Sequence, residues 1–247
     1  MIRKLGDSAW ATPAELQHYL ETGGLPGICF RRDSEIRRQL FEQHLDTLLG
    51  RDLQYLYETS VSQNTLQTLY SMIIVNQGRP LHFTALAREL SLSAPTIKKI
   101  IRAFEGLFLL RELNQTYFAE DLGLAHFAMT KTGKLVQSRS IRSEVLSLIY
   151  GELRFQAYFY PKGTLSLSSY TTRGGADVPF VLSSDTKKEC LGITVDLDSH
   201  VTEKSLKSLT SFKKKAPPHA KVIALHQGQN PYIASNQTPC IPISWIF

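Results

Sequence analysis

Residues 93–105 read SAPTIKKIIRAFE, a run with two unlike faces. Ile97, Ile100, Ile101 and Phe104 fall at i, i+3, i+4 and i+7, which stacks them into one apolar stripe on a helix. Thr96, Lys98, Lys99 and Arg102 point elsewhere, so the opposite face carries three positive charges and no negative one. Ser93 is a good N-cap, Pro95 sits in a first turn where a missing N–H costs nothing, and Gly106 can end the helix.

The flanking residues extend the pattern. Phe83–Leu90 reads as a short amphipathic helix capped by Thr84, with Leu86 and Leu90 one turn apart and Ser91-Leu92 as a tight connection. Two helices joined by so short a turn make a helix–turn–helix. Leu107–Leu113 reads as a strand, Asn114-Gln115-Thr116 as a turn and Tyr117-Phe118 as the return, which together form a wing. A helix at Thr65–Gln77 and a short strand at Pro80-Leu81-His82 precede them. A DNA-binding version of this arrangement sets the second helix in the major groove, with N-terminal side chains at base edges and cations near phosphates. The residues it would use are Ser93, Thr96, Lys98, Lys99 and Arg102. The alternative is a winged helix that serves only for packing against another domain.

At 247 residues the chain has room for two compact domains, and 43% hydrophobic with 20% charged residues is ordinary globular composition. No apolar run approaches membrane-spanning length, and the N-terminus lacks the apolar core of a secretory signal. Cys29, Cys190 and Cys240 form no CxxC pair, which suits a reducing cytoplasm and argues against structural zinc. No phosphate loop, nucleophile elbow or dinucleotide fingerprint is present, so no cofactor is expected. Lys+Arg minus Asp+Glu is 7 − 9 = −2 for residues 1–62, 8 − 5 = +3 for 63–136 and 13 − 8 = +5 for 137–247. The basic excess lies on the winged-helix segment and on the residues C-terminal to it, which suits a polyanionic partner.

These boundaries give an α+β chain of three parts. Residues 1–62 form a helical segment, with Thr12 capping a first helix and a long amphipathic helix from Ile36 to Leu53. Residues 63–136 form the winged helix-turn-helix, although Asp121–Ser140 shows no clear period. Residues 137–247 read as an α/β domain with a mixed sheet: a helix over Ile141–Phe155, strands at Leu165–Tyr170, Asp177–Leu182 and Leu191–Leu197, a helix over Thr202–Phe212, and a strand at Val222–Leu225. Ile241–Ile246 closes the chain as an apolar segment on the core.

The helix–strand–strand–strand–helix–strand order is similar to the restriction-endonuclease-like core. The chain further resembles the C-terminal region of predicted prokaryotic AAA+ ATPases, which carry a winged helix and a nuclease-like domain of unknown function. The resemblance rests on Gly23-Gly24-Leu25-Pro26, His44–Asp52, Thr84–Phe108, Gly174–Leu182 and Ile241–Trp245 in shared order. It implies a metal-binding acid on the second strand and an acid-x-Lys set on the third. Here the matching residues are Asp177-Val178-Pro179-Phe180 and Ile193-Thr194-Val195-Asp196, so Pro179 and Thr194 replace carboxylates and Asp196 replaces the lysine. The site residues Asp177, Pro179, Thr194 and Asp196 thus read as degenerate, with no catalytic or metal-ligating set and no enzyme activity expected. The ATPase module that precedes these domains in the family is not among the 247 residues.

Three functions are compatible with these residues. The first is non-catalytic binding of double-stranded DNA by the winged helix, with Lys204, Lys207 and Lys213-Lys214-Lys215 adding a basic surface. The second is an interaction module that packs on an AAA+ ATPase partner or on another copy. The third is a metal-dependent nuclease with a rearranged site built from Asp177, Asp196 and either Glu144 or Glu152.

Overall fold

The computed structural model describes residues 13–131, 137–160, 164–184 and 189–246. The Thr12 cap expected for the first helix therefore lies outside the described residues. The fold is mixed α+β, with a two-stranded and a six-stranded sheet, and the contacts divide it into two units.

One unit comprises residues 19–151. Its chain leaves α1 (Pro13–Thr22) through Gly23-Gly24 and enters α2 (Ser34–Thr47), where the Asp33 carboxylate accepts the Glu35 amide at 2.8 Å and the Ile36 amide at 3.1 Å. Leu48–Asp52 widens into a π turn and runs on as α3 (Leu53–Leu56). Ser62 caps α4 (Gln63–Val75), and Asp46 of α2 accepts from Gln63 Nε2 at 3.0 Å and Gln67 Nε2 at 2.6 Å. The long helix expected within residues 1–62 thus shares one core with α4 and its successors, from Phe41, Leu45, Leu49 and Leu53 to Leu69 and Ile73.

Next come α5 (Phe83–Glu89) and α6 (Ala94–Gly106). Residue 82 precedes the first turn of α5, so Thr84 lies inside the helix rather than capping it. Ile97, Ile100, Ile101 and Phe104 are all buried to 1% exposure or less. The antiparallel pair β1 (Leu110–Leu113) and β2 (Thr116–Ala119) begins later than the sequence implies. Leu107 and Phe108 lie in the turn that leaves α6, with Phe108 at φ +56°. Thr116 belongs to β2, and the loop is Asn114-Gln115 alone, at φ +49° and +64° as a two-residue hairpin of matching twist requires. Pro80 bridges to Thr116 on the far side of β2.

Residues 122–131 form α7 (Leu122–Lys131), and the chain leaves this unit within α8 (Gln137–Tyr158). The start of α7 is clamped to the Gly23-Gly24 turn. Asp121 accepts the Gly24 and Leu124 amides, each at 2.8 Å. A Cβ on Gly123 would stand 2.5 Å from the Thr22 carbonyl, so only glycine allows this approach.

The other unit takes in residues 13–18 of α1 and is built on residues 152–246. Its strands are β3 (Leu165–Thr171), β4 (Asp177–Ser184), β5 (Glu189–Val195), β6 (Lys221–His226), β7 (Tyr232–Ile233) and β8 (Pro239–Pro242), in the order β3-β4-β5-β6-β8-β7. β3, β4 and β5 run antiparallel, while β5, β6 and β8 are mutually parallel neighbours. The crossover α9 (Glu203–Lys215) joins β5 to β6 and lays Phe212 on Gly192. Part of the closing apolar segment is thus a strand, β8, between β6 and β7.

Gly123→Ala is expected to lower stability by about 1–3 kcal/mol in urea denaturation, because the new methyl meets backbone that must move. Gly151→Ala is the matched control. Nothing stands within 4 Å of its added Cβ, so helix propensity should give a gain of up to about 1 kcal/mol.

Candidate functional site

The polar face of α6 follows from the burial of its other side. Lys98, Lys99 and Arg102 are exposed. The Lys98 ammonium stands 5.2 Å from the centroid of the Phe83 ring, and that of Lys99 stands 5.9 Å from Tyr57. An aromatic face attracts an ammonium without neutralising it, so both charges are steadied but remain available. Ion pairs among the described residues engage other cations, Arg38, Arg51, Arg111, His126, Lys131 and Lys207 among them. The neighbouring Glu105 carboxyl is pushed up, foremost by burial, against the opposing pull of the Glu112 amide, Arg111 and Arg102.

The two hydroxyls at the helix start are differently placed. Ser93 Oγ accepts the Thr96 amide at 3.1 Å and lies 2.7 Å from Thr96 Oγ1. Ser93 is exposed and Thr96 half-buried, so both are partly committed to capping α6. Sequence reasoning missed the aromatic platforms Phe83 and Tyr57. They come from other helices or their ends, 15 and 42 residues from the lysines they meet, and local periodicity carries no trace of such pairs.

The four positions singled out by the sequence resemblance do different work. Asp177 opens β4 in an exposed position, and its amide donates to Ser208 Oγ at 3.1 Å. Pro179, on the same strand, is half-buried. Thr194 is buried on β5, and its Oγ1 has no hydrogen-bond partner among the described residues. Asp196 is buried just past β5 and accepts both the amide of Thr202 at 3.0 Å and its hydroxyl at 3.3 Å. Thr202 in turn caps α9, so Asp196 fastens the turn between β5 and α9. Glu152 accepts from Gln156 at 2.7 Å. Among the described residues, no group of three or more His, Cys, Asp or Glu side chains converges as a metal site would need.

Glu144 belongs to another arrangement, which sequence reasoning also missed. It is 2% exposed on α8, and its carboxylate lies 2.9 Å from His126 Nδ1 on α7. The imidazole is thereby held above its ordinary value, first by this hydrogen bond, against desolvation, and with help from the charges of Glu144 and Glu21. Because His126 binds its proton more tightly in the folded chain, the stabilisation is complete below the unfolded value of about 6.5 and fades as pH rises through the folded one. The thermal midpoint should therefore fall as pH rises above about 6.5. Glu144→Gln should flatten that slope, as differential scanning fluorimetry across the range will read.

No curated protein and no solved structure matches the chain. One family model does, that of a domain of unknown function (DUF8612), over residues 13–136. The match runs from α1 through α7 and takes in α6 with its exposed cations, the Gly23-Gly24 turn and the Asp121 clamp. With half of its length so matched, the chain belongs to the DUF8612 family.

Proposed function

We propose that this protein binds double-stranded DNA without cleaving it, using α6 as the recognition helix of a winged helix-turn-helix spanning α4 to β2. The reading is carried by one observation: Lys98, Lys99 and Arg102 are exposed together on the helix face opposite a fully buried stripe. The helix–bridge–helix–helix–hairpin order from α4 to β2 supports it, as does the charge of +3 over residues 63–136 (8 − 5). Lys98 and Lys99 act on phosphates, as ammoniums do, and position the helix rather than read bases. The unit built on residues 152–246 acts as an accessory, degenerate nuclease-like surface. Its contribution is the run Lys213-Lys214-Lys215 at the end of α9. The likeness to the C-terminal region of AAA+ ATPases supports a cytoplasmic setting beside such machinery.

A second reading, a docking module for a partner ATPase or a second copy, draws on large apolar side chains left in solvent within the first sixty residues. Phe30 is 87% exposed, Tyr55 83% and Leu56 54%. A concentration-dependent rise in mass in light scattering, lost in Tyr55→Ala with Leu56→Ala, is the outcome that reading expects.

DNA binding is expected to weaken steeply with salt. Lys98→Ala with Lys99→Ala should weaken all duplexes about equally and flatten the log–log salt slope by roughly 2 units, near 0.9 per lost phosphate contact. A fluorescence-anisotropy titration from low to physiological salt measures both. Unchanged slope in the double variant, or loss on one sequence alone, overturns the assignment.

A further inference from the structure

Within the unit of residues 19–151, on elements other than α6, a pocket of about 170 Å³ is lined by Glu21, Ser34, Arg37, Arg38, Phe41 and His126, among others. Its donors come from two helices. On α2, Arg37 is pinned at one end, with Nη1 donating to the carbonyls of Arg31 at 2.6 Å and Arg32 at 2.9 Å. Nε and Nη2 of its guanidinium have no partner among the described residues. Arg38 is committed to Glu35 through two bonds, of 3.0 and 2.7 Å, and to Glu42 at 3.5 Å, so it lines the pocket with its charge largely paired. On α7, His126 gives Nδ1 to buried Glu144, which leaves Nε2 as the nitrogen available to the pocket it lines. Phe41 and Phe127, stacked with centroids 6.1 Å apart, supply apolar wall, where charge interactions are stronger than in water.

A histidine held in one orientation by a buried carboxylate and a guanidinium anchored by backbone carbonyls are two pre-organised cationic donors, and they line one pocket from separate helices. A planar carboxylate suits a single fork, whereas a tetrahedral oxyanion offers acceptors in several directions at once. The acid at the rim, Glu21, opposes an anion and limits its affinity. We propose that this pocket binds a single phosphoryl group, held by the open edge of Arg37 and by Nε2–H of His126, with the Ser34 hydroxyl as a third donor and Glu144 as the positioning residue. The site is independent of the DNA reading, since none of its residues lies on α4, α5 or α6.

The test follows the His126 ring nitrogens by NMR in the full chain, with inorganic phosphate, glycerol phosphate or acetate added at fixed ionic strength, first at one pH and then across a pH titration. The charged groups that act on this ring are Glu144 of α8 and Glu21 of α1, and Arg37 and Arg38 of α2 line the same pocket; the variants are chosen with them in view. Phosphate should shift the His126 signals saturably and raise the pH at which the ring titrates, while acetate and added chloride leave both unchanged. Tighter binding of glycerol phosphate than of the free ion assigns the site to a phosphate ester, and the reverse assigns it to phosphate itself. Arg37→Met should weaken binding about tenfold, the size of one charge-assisted hydrogen bond. Because Arg37 also anchors residues 31 and 32, the exposed Glu21→Gln is the second variant, and it should tighten phosphate binding. A His126 resonance indifferent to phosphate, or binding weakened rather than tightened by Glu21→Gln, overturns the proposal.

Discussion

Burial of Ile97, Ile100, Ile101 and Phe104 decides which way α6 faces, and with it what the surface of the first unit can do. Each such side chain gains roughly 1.5–3 kcal/mol when removed from water. Turning the helix by one residue would expose part of that stripe and press an ammonium toward the core, at a cost of several kcal/mol for the desolvated charge. Mutual repulsion of three exposed like charges is far smaller, since solvent and salt screen it. The cationic ridge is therefore a consequence of packing rather than a local preference of its own residues. Ser93 and Pro95 fix where the helix begins, and so which lysines fall on that ridge.

The Asp121 clamp governs the other end of the same unit. A carboxylate that accepts the amides of Gly24, Leu25 and Leu124 would ordinarily be held low, yet its value is raised, because burial outweighs three neutral donors and the distant charge of His44. Such a group ties two segments nearly a hundred residues apart only when the backbones can come very close, and Gly23 and Gly123 supply that closeness. With the turn fixed against the start of α7, His126 comes to line a pocket together with Ser34, Arg37 and Arg38 of α2.

What could be read from the chain alone depends on how local each signal is. The α6 stripe and the α9 crossover are periodic over a few turns, and both stand where the pattern puts them. The α7 helix escaped because LGLAHFAMTK is apolar on nearly every side; most of its residues are buried, so no polar face marks a period. β8 escaped because two prolines argue against an inner strand, yet they fall on its first and last residues, where a missing N–H costs least. The join between α2 and α4 was hidden for another reason. Amphipathicity says that a face is buried, never against what, and the Asp46 bonds to Gln63 and Gln67 span 17 and 21 residues.

Asp196 shows how an acidic residue at a chemically suggestive position is put to other use. It lies just past β5, beyond buried Thr194, and its carboxylate accepts the amide and hydroxyl of Thr202 at the start of α9. A metal ion at this carboxylate would have to displace those bonds and loosen the cap of a helix whose Leu209 and Phe212 form the core beneath the sheet. Pro179, on the second strand, brings no side-chain donor atom. Thr194 offers a neutral hydroxyl, which is a poor exchange for a charged ligand around a hard divalent cation. Of these positions, Asp196 alone holds the turn between β5 and α9 closed. The exposed lysines of α9 and α6 form cationic surface apart from these strand positions.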